Sequence, residues 1–471
     1  MEEKYKEQNY LSLSRRKFMK KTALLGAGLA FAPTQLSLIQ QSTVVAASTM
    51  TDEERMAWFR EARFGLFLHW GLYSLLGRGT WSMFIDQISV PEMNKLARQF
   101  NPEKYNPNKW AQLALEAGMK YAVLTTRHHD GFCLFDSKVS DFTSVKTAAK
   151  RDLVAEYVEA FRKAGLKVGF YYSLLDWRFP GYFEAEKYPE SKDALVHQAH
   201  EQVRELLTNY GRIDLMWFDG HWLADIWDSI AKPERMVEFW DAEKLVKMIR
   251  ELQPHIIINN RIGGLTGDYD TPEQKIEASE SGRPWEVCQT IGDYSQSWCY
   301  QRYTPKPIRK SVGQLLLQLT AIAADEGNYL LNVGPKPDGT IPAEDADRLR
   351  GIGKWLKVNG EAIYGSRKSP IYGNSVANWI FKDNIGYLYL PCWAKNELTI
   401  CNIGTPAKSA QLLATGQALK VDYDTEWYRL IISGLPEIPP DPDISVIKVV
   451  FPSKPTMKAK EDGSVWLRVS S

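Results

Sequence analysis

Residues able to act as acids, bases or nucleophiles occur directly after short apolar runs in this sequence. The clearest run is residues 213–218, which is rich in apolar and aromatic side chains and is followed by Asp219 and Gly220. A single carboxylate after a strand is most often a turn residue or a helix cap. The same arrangement recurs elsewhere along the chain, which favours a functional role for Asp219.

The other candidate residues share this position after an apolar run or in the loop that follows one. They are His69, Trp70, Trp81, His128, His129, Tyr171, Arg261, and either Glu273 or Glu286. Imidazoles, aromatic rings, one guanidinium and a pair of carboxylates are typical of a carbohydrate pocket. Neither a Ser-His-Asp arrangement nor a G-x-S-x-G elbow is visible in the sequence.

Two carboxylates in one pocket fit the hydrolysis of a glycosidic bond. One must be ionised to attack the anomeric carbon or activate water, and the other must hold a proton for the leaving oxygen. Asp219 suits the first role because a strand end is rigid. A loop carboxylate suits the second role because a loop can bring a proton donor in from the side.

A metal site on the histidines is the alternative. Only His128 and His129 are adjacent in sequence, and consecutive residues of an extended strand point to opposite faces. The sequence also lacks a C-x-x-C pair, which argues against zinc. We therefore predict no metal.

Composition is typical of a large soluble protein. The chain has 471 residues, 44% of them hydrophobic, and 58 basic and 57 acidic residues give a net charge of +1. This balance does not favour nucleic acid or a charged membrane surface as a partner. The 16 Trp and 22 Tyr residues fit a large core and also the stacking of sugar rings. The five cysteines are predicted to be buried free thiols, with one disulfide as the alternative in an oxidising compartment.

Residues 1–47 are predicted to be a signal peptide. The motif S-R-R-K-F-M-K at residues 14–20 precedes a modest apolar run at 22–33, which is typical of twin-arginine export signals. The run is too short for a stable transmembrane helix. Small residues at Val45-Ala46-Ala47 suit a signal peptidase. We expect a periplasmic or extracellular protein; a basic disordered tail is the alternative.

Strand-like and helix-like segments alternate over residues 50–365, where we place the catalytic domain. The predicted helices are residues 50–60, 107–118, 153–164, 198–210, 242–252, 312–324 and 345–358. About seven strand-then-helix steps predict a parallel sheet, and functional side chains at strand ends favour an irregular (β/α)8 TIM-type barrel. An open doubly wound sheet is the alternative, but no G-x-G-x-x-G or phosphate-binding loop follows the first strand. The pattern does not place the eighth strand.

The pattern changes at about residue 366. Short apolar segments follow one another without a helical period. Residues 366–471 are therefore predicted to form a small antiparallel β-sandwich. We expect it to brace the barrel, with glycan binding as the alternative.

Six motifs occur at the predicted strands: F-L-H-W-G at 67–71, T-R-H-H-D-G-F at 126–132, Y-Y-S at 171–173, W-F-D-G at 217–220, N-N-R at 259–261, and N-Y-L-L-N-V-G-P at 328–335. Together they resemble the α-L-fucosidases of glycoside hydrolase family 29, over about residues 52–364. The resemblance implies an irregular barrel with a C-terminal β-sandwich and no cofactor. It also implies a retaining enzyme that releases terminal α-L-fucose from fucosylated oligosaccharides or glycoconjugates through a covalent fucosyl-enzyme.

Site residues follow from the same resemblance. It makes Asp219 the nucleophile. The side chains that bind fucose are His69, His128, His129, Tyr171, Trp217 and Arg261 by resemblance, Trp81 by its place at the predicted pocket mouth, and Trp298 as a further aromatic wall or else a core residue.

The acid/base is implied by residues 267–274, G-D-Y-D-T-P-E-Q. They resemble the segment that carries this residue in one branch of the family, which points to Glu273. Glu286 is the alternative, although its place inside a predicted strand favours a structural role. The T-P-E-Q form also resembles the branch that acts on α-1,3/1,4 linkages. One departure is Thr80-Trp81, where family members often have Glu-Trp, so the role of that glutamate is unfilled or passes to another residue.

Two further hypotheses remain open from the sequence. A non-catalytic fucose- or glycan-binding protein has the same pocket, but it needs neither Asp219 nor Glu273. A hydrolase of a related sugar such as α-L-galactose differs only in the wall that faces C5.

Overall fold

The computed structural model describes residues 50–279, 282–292, 298–302, 308–371 and 378–458. These described residues belong to one compact unit. The predicted signal peptide lies outside the described residues. No helix in the described ranges is long and apolar enough to cross a membrane.

Seven parallel strands form the first sheet. They are β1 (Phe64–Leu68), β2 (Tyr121–Arg127), β3 (Lys167–Ser173), β4 (Leu215–Asp219), β5 (Ile257–Ile258), β6 (Glu286–Thr290) and β7 (Asn328–Val333). Their order is β5-β4-β3-β2-β1-β7-β6. Nearly every residue of these strands is buried, because a parallel sheet is covered on both faces and its strands are continuous apolar runs.

Helices surround and connect the strands. They are α1 (Asp52–Ala62), α2 (Tyr73–Leu76), α3 (Ser82–Ile85), α4 (Val90–Ala97), α5 (Pro107–Glu116), α6 (Leu153–Lys163), α7 (Pro180–Phe183), α8 (Pro189–Asn209), α9 (Ile226–Ala231), α10 (Pro233–Trp240), α11 (Ala242–Leu252), α12 (Val312–Ala324) and α13 (Ala343–Asn359). All seven predicted helices are present. The helix predicted at 198–210 begins earlier, at Pro189. The prediction missed its first turns because they are polar and show no apolar period. The single-turn helices α2, α3 and α7 were missed because one turn is too short to show a period.

Residues 268–274 close the barrel between β5 and β6. Parallel bridges join Tyr269 to Asn259 on one side and Glu273 to Cys288 on the other. This is the position of the eighth strand. The described residues between β5 and β6 contain no helix. The sequence did not mark it because the segment is polar and pairs through isolated bridges.

Asp268 anchors this closing segment. Its Oδ2 accepts a hydrogen bond from the backbone N–H of Ile258 at 2.7 Å. Arg250 donates to both carboxylate oxygens, at 2.8 and 2.7 Å, and Arg55 donates to Oδ1 at 3.2 Å. The carboxylate is nearly buried, and it joins Arg55, Arg250 and the edge of β5 to the closing segment.

Eight antiparallel strands form the second sheet. They are β8 (Arg367–Lys368), β9 (Asn378–Lys382), β10 (Ile385–Leu390), β11 (Asn396–Ile400), β12 (Ser409–Leu412), β13 (Ala418–Asp424), β14 (Arg429–Leu435) and β15 (Ser445–Val450). β13 pairs with β12 through its first residues and with β14 through its last ones. Residues of both ladders share one hydrophobic cluster, as the two layers of a sandwich do. The predicted fold class, an irregular barrel followed by a β-sandwich, is confirmed.

The second sheet packs on the barrel. Tyr387, Tyr389 and Val446 belong to the hydrophobic cluster of the barrel helices, and the indole N–H of Trp355 donates to the carbonyl of Ile444 at 2.8 Å. This contact favours bracing as the role of the second sheet.

The cysteine prediction is partly wrong. All five thiols are free; Cys133, Cys288 and Cys299 are buried, but Cys392 and Cys401 are exposed. The last two belong to the second sheet, whose short strands leave loop residues at the surface.

Asp268→Ala is expected to lower the free energy of unfolding by about 3 kcal/mol, because it removes the carboxylate partner of Arg250, one of the two carboxylate partners of Arg55, and the acceptor of the Ile258 N–H. Urea denaturation measures the change. The matched control is Asp347→Ala, since this carboxylate is 73% exposed in its pair with Arg350 and surface pairs contribute little. Equal destabilisation by the two variants would contradict the anchoring role of Asp268.

Candidate active site

Asp219 is the point at which the strand ends converge. It is the last residue of β4, and Gly220, with a φ of 62°, turns the chain away after it. Its Oδ1 accepts a hydrogen bond from Arg261 at 3.0 Å, and its Oδ2 accepts one from the hydroxyl of Tyr171 at 2.9 Å. The carboxylate is therefore fixed from β3 and from the loop after β5.

Asp219 is ionised at neutral pH. The residue is only 9% exposed, and this burial by itself raises the pKa of the carboxyl. The charge and hydrogen bond of Arg261, with smaller contributions from His221 and His128, outweigh burial and leave the pKa below its usual value. An ionised, oriented carboxylate is the form that acts as a nucleophile.

Arg261 holds a second carboxylate. Its Nη2 donates to Oε2 of Glu273 at 3.0 Å and to the carbonyl of Thr271 at 3.2 Å. The guanidinium also lies over the indole of Trp217, 4.7 Å from the ring centroid. Glu273 is thus at the same guanidinium as Asp219, with its side chain 41% exposed.

Three histidines line the pocket beside Asp219. His69 Nδ1 lies 2.7 Å from the amide oxygen of Asn332, and His129 Nδ1 lies 2.7 Å from the hydroxyl of Ser173. The side-chain N–H of Asn332 donates to the carbonyl of Trp298, and the hydroxyl of Ser173 donates to the carbonyl of Leu175. The side-chain oxygens of Asn332 and Ser173 therefore accept hydrogen bonds from the Nδ1–H groups of His69 and His129. The Nε2 atoms of His69 and His129 are then hydrogen-bond acceptors.

All three imidazoles are neutral at neutral pH. Burial lowers the pKa of His69 to about 4 and lowers the pKa values of His128 and His129 well below the usual value. Neutral imidazoles are suited to the hydroxyls of an uncharged sugar, because each offers an acceptor or a donor without a net charge.

The expectation that His128 and His129 point to opposite faces is wrong. Their ring centroids are 4.1 Å apart, and His128 stacks on Tyr171 with an interplanar angle of 5°. The strand rule does not apply because β2 ends at Arg127, and the next residues form a turn that directs both rings into the pocket. No group of three or more His, Cys, Asp or Glu side chains that could hold a metal ion is found within the described ranges.

Aromatic rings surround the pocket on several sides. Trp81 contacts His129 at 5.5 Å and stacks on Trp222 at 6.1 Å. Trp298 is partly exposed and lies 5.0 Å from His69, as expected for a wall residue. Trp70 does not belong to the site: it is buried among Phe100, Tyr105 and Trp110, because the chain leaves the strand after His69.

Trp217 and Glu286 lie beneath the pocket. Trp217 is buried and stacks under Tyr171 at 5.6 Å with an interplanar angle of 17°. Its indole N–H donates to Glu286 Oε1 at 3.0 Å, and the hydroxyl of Tyr121 donates to Oε2. Glu286 is fully buried, and burial raises its pKa to about 7. Its carboxyl faces the barrel interior, with Trp217 between it and the pocket.

Several residues of the site were missed by sequence reasoning. Asn332 and Ser173 set the tautomers of His69 and His129, and Trp222 extends the wall formed by Trp81. Asn332 and Ser173 lie inside motifs that were recognised, so their strand-end positions were a usable signal. Trp222 is three positions after Asp219, and nothing in the sequence indicated that it folds back onto Trp81.

Comparisons with known proteins identify the family of this chain. The family model described as Alpha-L-fucosidase matches residues 32–361. The chain belongs to the α-L-fucosidase family, glycoside hydrolase family 29. It is a retaining α-L-fucosidase, which releases terminal α-L-fucose from fucosylated glycans.

Relatives and solved structures cover most of the chain. The human tissue alpha-L-fucosidase is 30% identical over 415 residues, which are 82% of this chain and 86% of the human one. The alpha-L-fucosidase isoenzyme 1 of Paenibacillus thiaminolyticus is 36% identical with a TM-score of 0.76, over 85% of this chain and 99% of that one. A Bacteroides thetaiotaomicron fucosidase, captured as a trapped covalent intermediate, is 27% identical with a TM-score of 0.77, over 85% of this chain and 96% of that one.

Glu286→Gln is expected to keep fucosidase activity, whereas Glu286→Ala is expected to lose stability. The amide keeps an acceptor for Trp217, but alanine leaves the buried Trp217 N–H and Tyr121 O–H without a partner, which costs about 1–3 kcal/mol for each group. Kinetics and urea denaturation measure the two effects. Loss of activity in a stably folded Glu286→Gln variant would assign this carboxyl a catalytic proton.

The stability difference between wild type and Glu286→Gln is also expected to depend on pH. The folded-state pKa of Glu286 is about 7, above its usual 4.5, so the folded state binds more protons in this interval. The contribution of this group to stability is full below pH 4.5 and declines as the pH rises through about 7. Relative to wild type, Glu286→Gln should therefore gain stability between pH 5 and pH 8, by up to about 3 kcal/mol. A difference that stays constant with pH would contradict it.

Proposed function

We propose that Asp219 is the nucleophile and Glu273 the acid/base of this fucosidase. One observation carries the proposal: the guanidinium of Arg261 holds both carboxylates, each at 3.0 Å. A retaining glycosidase needs two carboxyl groups about 5–5.5 Å apart on either side of the anomeric carbon. The shared guanidinium brings the two carboxylates to one side of the pocket, and this closeness supports the pairing.

In the first step, Asp219 attacks C1 of fucose and the bond from C1 to the leaving oxygen breaks. Glu273 gives its proton to that oxygen. The ion pair with Arg261 is made by ionised Glu273, so we infer that this pair opens when a glycan binds. The exposed position of Glu273 allows this movement and lets its carboxylate take a proton from solvent.

In the second step, water attacks C1 of the fucosyl-enzyme and the ester bond to Asp219 breaks. Ionised Glu273 takes the proton of the water and regains the form needed for the next turnover. Arg261 and Tyr171 then bind the released carboxylate of Asp219 again.

The remaining pocket residues are proposed to bind the sugar. Hydroxyls of fucose donate to the acceptor Nε2 atoms of His69 and His129, while the aromatic rings cover its apolar edges. This set comprises His69, Trp81, His128, His129, Tyr171, Arg261 and Trp298, with Trp217 as the layer beneath Tyr171.

We further propose that the enzyme acts on α-1,3/1,4-linked fucose. The support is the T-P-E-Q form of the segment that carries Glu273. The test measures kcat/KM on a set of fucosylated glycans that differ only in linkage, and the α-1,3/1,4-linked members are expected to react fastest. Equal rates on α-1,2-linked and α-1,3/1,4-linked members would contradict this choice.

Asp219→Ala is expected to lower kcat by at least about a thousandfold, with azide restoring turnover as the β-fucosyl azide. Glu273→Ala is expected to accumulate the fucosyl-enzyme, and azide then gives the α-fucosyl azide, because it attacks the opposite face. Product configuration by NMR separates the roles. Glu286→Gln, which is expected to fold stably and keep activity, serves as the matched carboxylate control, and loss of activity with azide rescue in this variant instead of Glu273→Ala would overturn the assignment.

We also propose that residues 1–47 direct export through the twin-arginine pathway to the periplasm or the exterior. The support is the pair Arg15-Arg16 followed by Phe18 and an apolar run. Changing Arg15 and Arg16 together to lysine is expected to keep the protein in the cytoplasm, as measured by cell fractionation. Lys6→Arg, outside the motif, is the control. Export of the double variant at the control level would refute the proposal.

A further inference from the structure

A row of aromatic rings leads from the pocket to the protein surface. We call it the aromatic shelf and define it as Trp81, Trp177, Phe84 and Phe183. Trp81 and Trp177 both contact His129, with centroids at 5.5 and 5.2 Å. Phe84 stacks on Trp177 at 5.5 Å, and Phe183 continues the row, within 10° of parallel to Phe84 at 6.4 Å.

The outer end of the aromatic shelf is exposed. Phe84 is 50% and Phe183 41% exposed, and the adjacent Ile85 is 58% exposed. Full burial of such a side chain is favourable by about 1.5–3 kcal/mol. Contiguous apolar side chains left in water at the rim of a pocket are typical of a binding surface.

The loops that carry the aromatic shelf hold it in place. Phe84 lies on α3 after β1, and Phe183 lies on α7 after β3. The hydroxyl of Tyr182 donates to the carbonyl of Trp222 in the loop after β4, at 3.2 Å. A Cβ added at Gly181 would lie 2.1 Å from the backbone nitrogen of Lys192, so α7 packs directly against α8. The shelf is therefore a packed part of the barrel mouth.

We propose that the aromatic shelf binds the sugar rings on the leaving-group side of the substrate. This inference rests on the proposed function, because it takes the fucose to lie at Asp219. The rest of the glycan must then pass out through the pocket mouth, where the shelf begins at His129. A pyranose ring has an apolar C–H face that packs on an aromatic ring, and each step along the shelf is comparable to the width of one sugar.

The continuity of the aromatic shelf with the pocket favours a glycan as its occupant, because Trp81 and Trp177 both contact His129 beside Asp219. At the rim, Asp86 directly follows Ile85 and pairs with Arg78 at 3.1 Å, and both side chains are partly exposed. These groups can bond to the hydroxyls at the edge of a sugar ring whose face lies on the aromatics.

The test compares kcat/KM for three substrates. They are α-L-fucosyl fluoride, a fucosylated disaccharide, and a longer fucosylated oligosaccharide of the same linkage. The double variant Phe84→Ala with Phe183→Ala is expected to lose about tenfold on the longest substrate, the effect of removing two aromatic contacts. Its kcat/KM for the fluoride, whose leaving group does not reach the shelf, should stay within about twofold of wild type.

Two further variants serve as controls. Changing both phenylalanines to tyrosine keeps the rings and should keep kcat/KM for the longest substrate. Trp427→Ala removes an aromatic side chain of similar exposure, 48%, between β13 and β14, and should change none of the three values.

The outcomes separate the two proposals. If Asp219→Ala hydrolyses fucosyl fluoride as fast as wild type does, the proposed function itself fails. If it does not, an equal loss of the double alanine variant on all three substrates, or no loss on any, overturns the leaving-group site. A change in oligomeric mass of the double alanine variant by light scattering, with oligosaccharide kinetics unchanged, makes the shelf an interface between copies and also overturns the proposal.

Discussion

The active site depends on one buried guanidinium. Arg261 bonds to Asp219 and Glu273 at once and lies over Trp217. A buried charge is costly unless it is paired and hydrogen-bonded, and here the cation and the two carboxylates satisfy one another. This arrangement keeps Asp219 ionised although it is almost buried, and it holds Glu273 at the same guanidinium. The hydrolysis of a fucoside requires such a pair, with one carboxylate held ready and the other near enough to exchange a proton.

The irregular part of the barrel is where this pair is assembled. Residues 268–274 take the place of a regular eighth strand, and the bridge of Glu273 to Cys288 sets its height against β6. Asp268 joins the segment to β5. Because the segment has no helix of its own, Glu273 remains near the surface and accessible to solvent. Below the pocket, Glu286 fixes Trp217, and Trp217 in turn supports Tyr171 and Arg261.

The other side chains that line the described part of the pocket are uncharged. The three histidines are neutral because they are buried, and tryptophans at its rim continue into the aromatic shelf. Neutral donors and acceptors with aromatic walls match a sugar, which has hydroxyls at its edges and apolar faces. We therefore propose that specificity for fucose and recognition of the attached glycan lie in different parts of one continuous surface.

The sequence by itself determined the elements and most of the site. Burial on both faces makes the parallel strands continuous apolar runs, and the helical period marks the longer helices, so both can be recognised locally. The polar residues after those runs, from His69 to Arg261, could be collected because parallel strands end at one face of a barrel. Only the tertiary structure decided which carboxylate meets Asp219. Along the chain only a family resemblance and the place of Glu286 inside a predicted strand favour Glu273, whereas bridging and register place Glu273 on Arg261 and Glu286 in the barrel interior. The directions of His128 and His129, the burial of Trp70 and the closure by residues 268–274 depend on where strands stop and how distant segments pair, which local patterns do not encode.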